Sequence, residues 1–222
     1  MQIRIHNEGW VYFISLLIIT IITLPFFPFI GLILFLITVY IYYFFRDPIR
    51  NIPNEDFVVS PADGIVTFIG KTFPPFNDVN NNECLKISIF LNIFNVHVNR
   101  IPCSGVIKKI NYIHGKFINA TLDKSSTDNE RNIICLKKNN NDTIYITQIA
   151  GLIARRIVCD VRENQEVIQG HRFGIIKFGS RVDLYLPFDY KILISKGQVM
   201  VGGETIISNP NNISQVSNSF KN

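Results

Sequence analysis

Leu85-Lys86-Ile87-Ser88-Ile89-Phe90-Leu91 alternates its side chains along most of its length. That period of two marks a strand with one face against a core. The same reading extends in both directions. Residues 57–69 read as a strand broken by a Pro-Ala-Asp-Gly turn. Further strands are expected at 105–114, 132–136, 142–149, 157–160, 173–178, 182–187 and 191–194. All are short, rich in Ile and Val, and separated by Gly, Asn and Asp. No long helical period follows residue 46, and one short helix is expected over 151–157. Residues 73–83 and 121–131 read as loops, and the Asn/Ser-rich residues from 208 as a polar tail. The fold class is therefore mainly β, a barrel- or sandwich-like soluble domain.

The N-terminal part obeys a different rule. Residues 9–45 contain no Asp, Glu, Lys, Arg or His. A bilayer-spanning helix needs roughly 20 apolar residues, and Pro25 and Pro28 fall near the middle of the run, where proline breaks a helix. The reading is a membrane-associated helical hairpin, with passes at about 10–24 and 29–43. The first pass is short, so a shallow re-entrant hairpin fits as well. Arg4, Arg46 and Arg50 flank it, which favours the cytoplasmic side of the cell membrane. Trp10, Tyr40, Tyr42 and Tyr43 sit where interfacial aromatics belong. Residues 46–56 read as a linker to a catalytic domain at 57–207.

Charge follows the same division. The 222 residues carry a formal net charge of +5 with 47% hydrophobic residues, and the whole +5 lies on residues 46–222. A basic domain beside an apolar anchor suits an anionic lipid surface better than nucleic acid. The four cysteines, Cys84, Cys103, Cys135 and Cys159, form no C-x-x-C pair and no zinc spacing. No metal site is expected. Nor is there a phosphate-binding loop or dinucleotide fingerprint.

Four stretches carry candidate chemistry. Ser60-Pro61-Ala62-Asp63-Gly64 reads as a tight Asp-Gly turn, or as a carboxylate, Asp63, placed to orient a base. In Asn95-Val96-His97-Val98-Asn99-Arg100, His97 is either a satisfied structural residue or an acid/base group, and it shares a strand face with Asn99. Phe178-Gly179-Ser180-Arg181-Val182-Asp183 is a β-turn or an activated serine after a glycine, without the elbow of an ordinary serine hydrolase. Gly197 to Thr205 reads as a hairpin with glycine turns. Cys103, six residues after His97, is a weaker nucleophile candidate. His114 and His171 stand alone.

Taken in order, these stretches resemble the phosphatidylserine decarboxylase family, in its short bacterial and archaeal form. Ser60 to Gly64 is similar to its S-P-A-D-G, and Val96 to Pro102 to its V-H-V-N-R-x-P. Gln148 to Ile157 is similar to Q-x-A-G-x-x-A-R-R-I, and Arg172 to Asp183 to R-F-G-x-I-x-F-G-S-R-V-D. Gly197-Gln198-Val199 and Gly203-Glu204-Thr205 match its closing motifs. The likeness runs from about residue 46 to 207. Longer members carry a second His where this chain has Arg100, and a G-S-T cleavage site where it has Gly179-Ser180-Arg181.

The resemblance implies a proenzyme that cleaves itself between Gly179 and Ser180, giving a β chain 1–179 and an α chain 180–222 that stay together as a heterodimer. Ser180 would become a covalent pyruvoyl group, which forms a Schiff base with phosphatidylserine in the bilayer and yields phosphatidylethanolamine. Asp63 and His97 would assist, and Arg100 and Asn99 are candidates for substrate binding. Two other readings compete: a pyruvoyl decarboxylase of a soluble amino acid, and a membrane-tethered, lipoyl-like β-barrel carrier or adaptor. The first leaves the apolar segment unexplained. The second expects a lysine at a hairpin tip, where this chain has Gly179-Ser180.

Overall fold

The computed structural model describes residues 3–76, 83–117, 128–151, 156–177 and 180–209. The chain opens with a short strand, β1 (Ile3–Ile5), and two helices, α1 (Asn7–Thr23) and α2 (Pro28–Phe44). His6 caps α1 by accepting from Glu8 N–H, and Glu8 places a negative charge on the helix's positive end. Pro28 sits in the first turn of α2, where its missing N–H costs nothing. The two prolines thus set the turn between the helices. Thr20 and Thr38 join across the helix pair at 3.1 Å, each hydroxyl also held by its own helix.

Each helix has 17 residues, about 25 Å at 1.5 Å per residue, against a hydrocarbon core of about 30 Å. No helix among the described residues is long and apolar enough to cross a membrane. The turn between the two helices falls at the expected prolines, Pro25 and Pro28. Yet the hairpin is apolar outside: Val11, Ile21, Ile22, Phe26, Phe27 and Phe29 are all exposed.

The expected linker begins instead as a strand. β2 (Arg46–Pro48) pairs with β1, and Asp47 in it is buried. Gly9 lets α1 lie against Phe45, since a Cβ there would stand 2.5 Å from the Phe45 Cβ. Gly9→Val is expected to lower stability by about 2 kcal/mol by forcing the hairpin off its seat, measurable by thermal unfolding.

The rest is mainly β. β3 (Val58–Val59) pairs with β15 (Ile206–Ser208). A curled eight-stranded half-barrel contains β4 (Gly64–Thr72), β5 (Cys84–Leu91), β7 (Gly105–Ile113), β8 (Arg131–Lys137), β9 (Thr143–Ala150), β11 (Glu166–Val167), β13 (Ser180–Pro187) and β14 (Val199–Met200). Their spatial order is β11-β7-β8-β9-β13-β5-β4-β14, antiparallel throughout. A second, three-stranded sheet has the order β10 (Arg156–Cys159), β12 (Arg172–Lys177), β6 (Val98–Arg100). The main core fills with Ile87, Ile89, Ile134, Ile146, Val182 and Leu184 from the half-barrel, with Phe173 and Ile176 from the smaller sheet. Val96, Val98 and Ile175 turn the other way and pack on Ile41, Phe44 and Phe45 of the hairpin end.

Two expectations fail. Residues 191–194 form no strand; only Ile192 bridges to Ser208, and Leu193 faces solvent. The helix expected over 151–157 is contradicted at its end, where Arg156 opens β10; residues 152–155 lie outside the described residues. The loops expected at 73–83 and 121–131 and the polar tail also fall largely outside them.

Candidate active site

β13 is the central strand of the half-barrel, paired along its length with β5 on one side and β9 on the other. Ser180 is its first residue, opposite Leu91 and Ala150. Its side chain is fully buried, and its Oγ has no hydrogen-bond partner among the described residues. A buried hydroxyl without a partner costs about 1–3 kcal/mol, so its retention calls for an explanation. Phe178 and Gly179, the other side of the expected cleavage site, lie outside the described residues.

His97 immediately precedes β6 of the smaller sheet. β5 ends at Leu91, opposite Ser180, and the chain then crosses to the smaller sheet through residues 92–97. There the His97 carbonyl meets Ile176 N–H at 3.4 Å. β12, which carries Ile176, ends at Lys177, and Ser180 opens β13. The His97 ring is buried, 4.3 Å from the Phe44 ring, with Nδ1 3.0 Å from the Asn95 carbonyl oxygen. A carbonyl only accepts, so Nδ1 carries the hydrogen in the neutral ring and Nε2 holds the lone pair. Burial, which disfavours the imidazolium, pushes the pKa down to about 4, and nearby Arg46 adds to this. His97 is therefore a neutral base at pH 7.

Three amides run between the sheets. Asn132 Nδ2 donates to Gln148 Oε1, and Gln148 Nε2 donates to Asn99 Oδ1, both at 2.9 Å, with all three residues fully buried. Asn99 Nδ2 has no partner among the described residues, which leaves a donor in the seam. Gln148 lies in a quoted motif but received no role from the sequence; its position across from Val182, two residues beyond Ser180, supplies one.

Asp63 sits at the turn before β4, where glycine must follow, because a Cβ on Gly64 would stand 2.2 Å from the Phe90 carbonyl oxygen. The Asp63 carboxylate takes Arg50 Nη2 at 2.8 and 2.9 Å and Gly202 N–H at 2.8 Å. It makes no bond to His97. The turn after β14 closes the group: Gly203, at φ +81°, leaves room for Arg100, whose Cδ would stand 2.9 Å from an added Cβ.

Arg100, a candidate for substrate binding, is 4% exposed. Its Nη2 donates to Asp47 at 2.9 Å and to the Pro48 carbonyl at 3.0 Å, and its Nη1 donates to the Gly170 carbonyl at 3.0 Å. Asp47 also pairs with Arg172. Asp47→Asn removes a buried counter-charge and is expected to cost about 3 kcal/mol, read as a lower denaturation midpoint.

The stretches that looked like separate motifs thus touch. Pro61 O accepts from Arg100 N–H, Ser60 O from Gly203 N–H, and Thr205 O from Ser60 N–H, all at 2.8 Å. Gln148 reaches Asn99, and Ala150 faces Ser180. The sequence profile of phosphatidylserine decarboxylase matches residues 37–208. The chain belongs to the phosphatidylserine decarboxylase family.

Individual relatives agree. A phosphatidylserine decarboxylase proenzyme of Rickettsia typhi is 48% identical over 206 residues, covering 92% of this chain and 89% of its own. The Rickettsia akari proenzyme is 49% identical over the same shares. Within this family fold the remaining candidates lie apart. Cys103 is buried, which pushes its thiol up to about 12 and keeps it protonated. His114 is exposed beside Glu130. His171 lines a cleft of about 530 Å³ that none of Ser180, His97 or Asp63 enters.

Proposed function

We propose that the chain is a proenzyme that cuts itself between Gly179 and Ser180 and then decarboxylates phosphatidylserine to phosphatidylethanolamine at the lipid surface. Family membership supports the reaction. The observation that carries the residue assignment is Ser180 itself: a fully buried hydroxyl, without a hydrogen-bond partner among the described residues, that heads a central strand of the half-barrel.

In the precursor, His97 Nε2 takes the proton from Ser180 Oγ. The oxygen attacks the Gly179 carbonyl carbon, and the amide nitrogen leaves that carbon, so the peptide becomes an ester. Loss of the Ser180 α-proton breaks the Cβ–O bond and releases a chain ending in the Gly179 carboxylate. The dehydroalanine left at 180 takes up water and loses ammonia, giving a pyruvoyl group. Ser180 fits that group, since its atoms form it, it is fully buried, and its strand partners Leu91 and Ala150 are apolar. Once present, the group supplies a conjugated carbonyl, an electron sink for the electrons of the departing carboxyl. His97 then holds a proton for return to the substrate carbon, and a pKa near 4 makes its imidazolium a ready donor. Asn99 Nδ2 offers a hydrogen bond in the same seam. Asp63 is a positioning residue: it fixes Arg50 and the turn at Gly202 and acts on His97 only at a distance.

The exposed apolar hairpin supports a lipid location. With helices of about 25 Å, it lies in the bilayer without crossing it, its basic flanks at Arg4, Arg46 and Arg50 on the cytoplasmic side. The test compares carbon dioxide release from phosphatidylserine vesicles with release from free serine. The proposal expects turnover of the lipid; turnover of free serine alone rejects it.

A further inference from the structure

Four arginines, Arg46, Arg50, Arg100 and Arg172, gather where the hairpin meets the β domain. Two carboxylates serve three of them: Arg100 and Arg172 share Asp47, and Arg50 holds Asp63. Arg46 has no carboxylate partner among the described residues. Its Nη1 donates to the Tyr43 carbonyl at 2.8 Å and its Nη2 to the Phe94 carbonyl at 2.7 Å, and its guanidinium lies 3.7 Å from the Tyr43 ring centre. These bonds use two of five N–H donors. Partial burial pulls its pKa down from the ordinary arginine value, and nearby Arg50 adds to this, against the opposing pull of Tyr43 and Asp63.

The position is specific. Tyr40 and Tyr43 donate their hydroxyls to the carbonyls of residues 93 and 94, at 3.1 and 3.2 Å. Ile93 and Phe94 are 37% and 58% exposed, continuing the apolar surface of the hairpin. Three residues beyond Phe94 the chain reaches His97. Arg46 and His97 therefore hold the two sides of one short crossing, with lipid-facing aromatics on its rim.

We propose that Arg46 binds the phosphodiester of the phosphatidylserine headgroup and so fixes the substrate's depth over His97 and Ser180. The assignment rests on the decarboxylase reading above. Phosphate is favoured over carboxylate for a chemical reason. The carboxylate must lose its charge as carbon dioxide, and a cation on it would stabilise the ground state against the reaction. The phosphate keeps its charge throughout.

The test uses processed Arg46→Gln and Arg46→Lys enzymes with monomeric short-chain phosphatidylserine, so that bilayer binding plays no part. The expected result for Arg46→Gln is a KM raised about tenfold or more, a kcat within about threefold, and partial recovery in Arg46→Lys, which keeps the charge but not the fork. Inhibition by short-chain phosphatidylethanolamine, which retains the phosphate, weakens by the same factor. An unchanged KM in an active, processed variant overturns the assignment. A raised KM with undiminished inhibition by the product also overturns it, in favour of a carboxylate clamp. If Arg46→Gln fails to process, wild-type enzyme is compared on short-chain phosphatidylserine and a phosphate-free O-acylserine, and equal KM values overturn the assignment. Wild-type protein inert to phosphatidylserine overturns the decarboxylase reading as well, whereas active wild type with an indifferent Arg46 overturns only this one.

Discussion

Replacing Ser180 with alanine leaves a single 222-residue chain that releases no carbon dioxide from phosphatidylserine and melts no lower than the wild-type precursor. The first half follows from chemistry. Alanine has no oxygen to attack the Gly179 carbonyl, so neither the cut nor the reactive carbonyl forms, and activity falls to background. The second half follows from packing. Ser180 Oγ is buried without a partner among the described residues, so removing it removes a desolvation cost of about 1–3 kcal/mol and leaves a cavity of one atom. Most core substitutions destabilise; a site where truncation abolishes activity and preserves or raises stability has been kept for reactivity. A denaturing gel, a carbon dioxide assay and a thermal melt check the three parts. A fully cleaved, active Ser180→Ala protein, or one that fails to fold, contradicts the role given to this hydroxyl.

His97→Gln is expected to slow self-cleavage by about a hundredfold to ten-thousandfold, the range for loss of a positioned base. Glutamine keeps much of the volume against Phe44, so the fold survives. The pH dependence is the sharper test. The folded pKa lies near 4, below the ordinary 6.5, so the neutral base persists as pH falls through 6.5. Precursor cleavage should hold its rate from pH 8 to about 5 and fail as pH approaches 4. An ordinary histidine would lose it near 6.5. Stability moves with it: the unfolded chain takes up a proton at His97 below about 6.5 and the folded chain does not. Stability is therefore full above 6.5 and falls by about 3 kcal/mol as pH drops to 4. His97→Gln should abolish that portion of the acid sensitivity. A cleavage profile with its midpoint near 6.5 contradicts the buried, neutral base.

Much of this was legible in the sequence. The alternation at 85–91 and the apolar runs at 132–136 and 142–149 became β5, β8 and β9, because each has enough residues to display a face. Pro25 and Pro28 marked the turn between α1 and α2. β1 and β2 were not legible: at three residues each they have no period to detect and exist because distant segments pair. The same distance hid the partners of Arg100 and Asp63. Asp47 lies 53 residues from Arg100, inside a stretch that reads as a linker, and Arg50 lies in that stretch too. The family pattern implied a reactive serine and histidine; the structure pairs Arg50, Arg100 and Arg172 with internal carboxylates. Gln148 was visible only as a motif letter until Asn99 and Asn132 appeared on either side of it.

The most direct test of the central claim is the intact mass of protein purified in a form active on phosphatidylserine vesicles. The account predicts two polypeptides, residues 1–179 and 180–222, the smaller lighter by one ammonia than a peptide beginning with serine and refractory to stepwise N-terminal sequencing. An unbroken 222-residue chain that releases carbon dioxide from the lipid, or a smaller piece with an ordinary serine at its start, would contradict it.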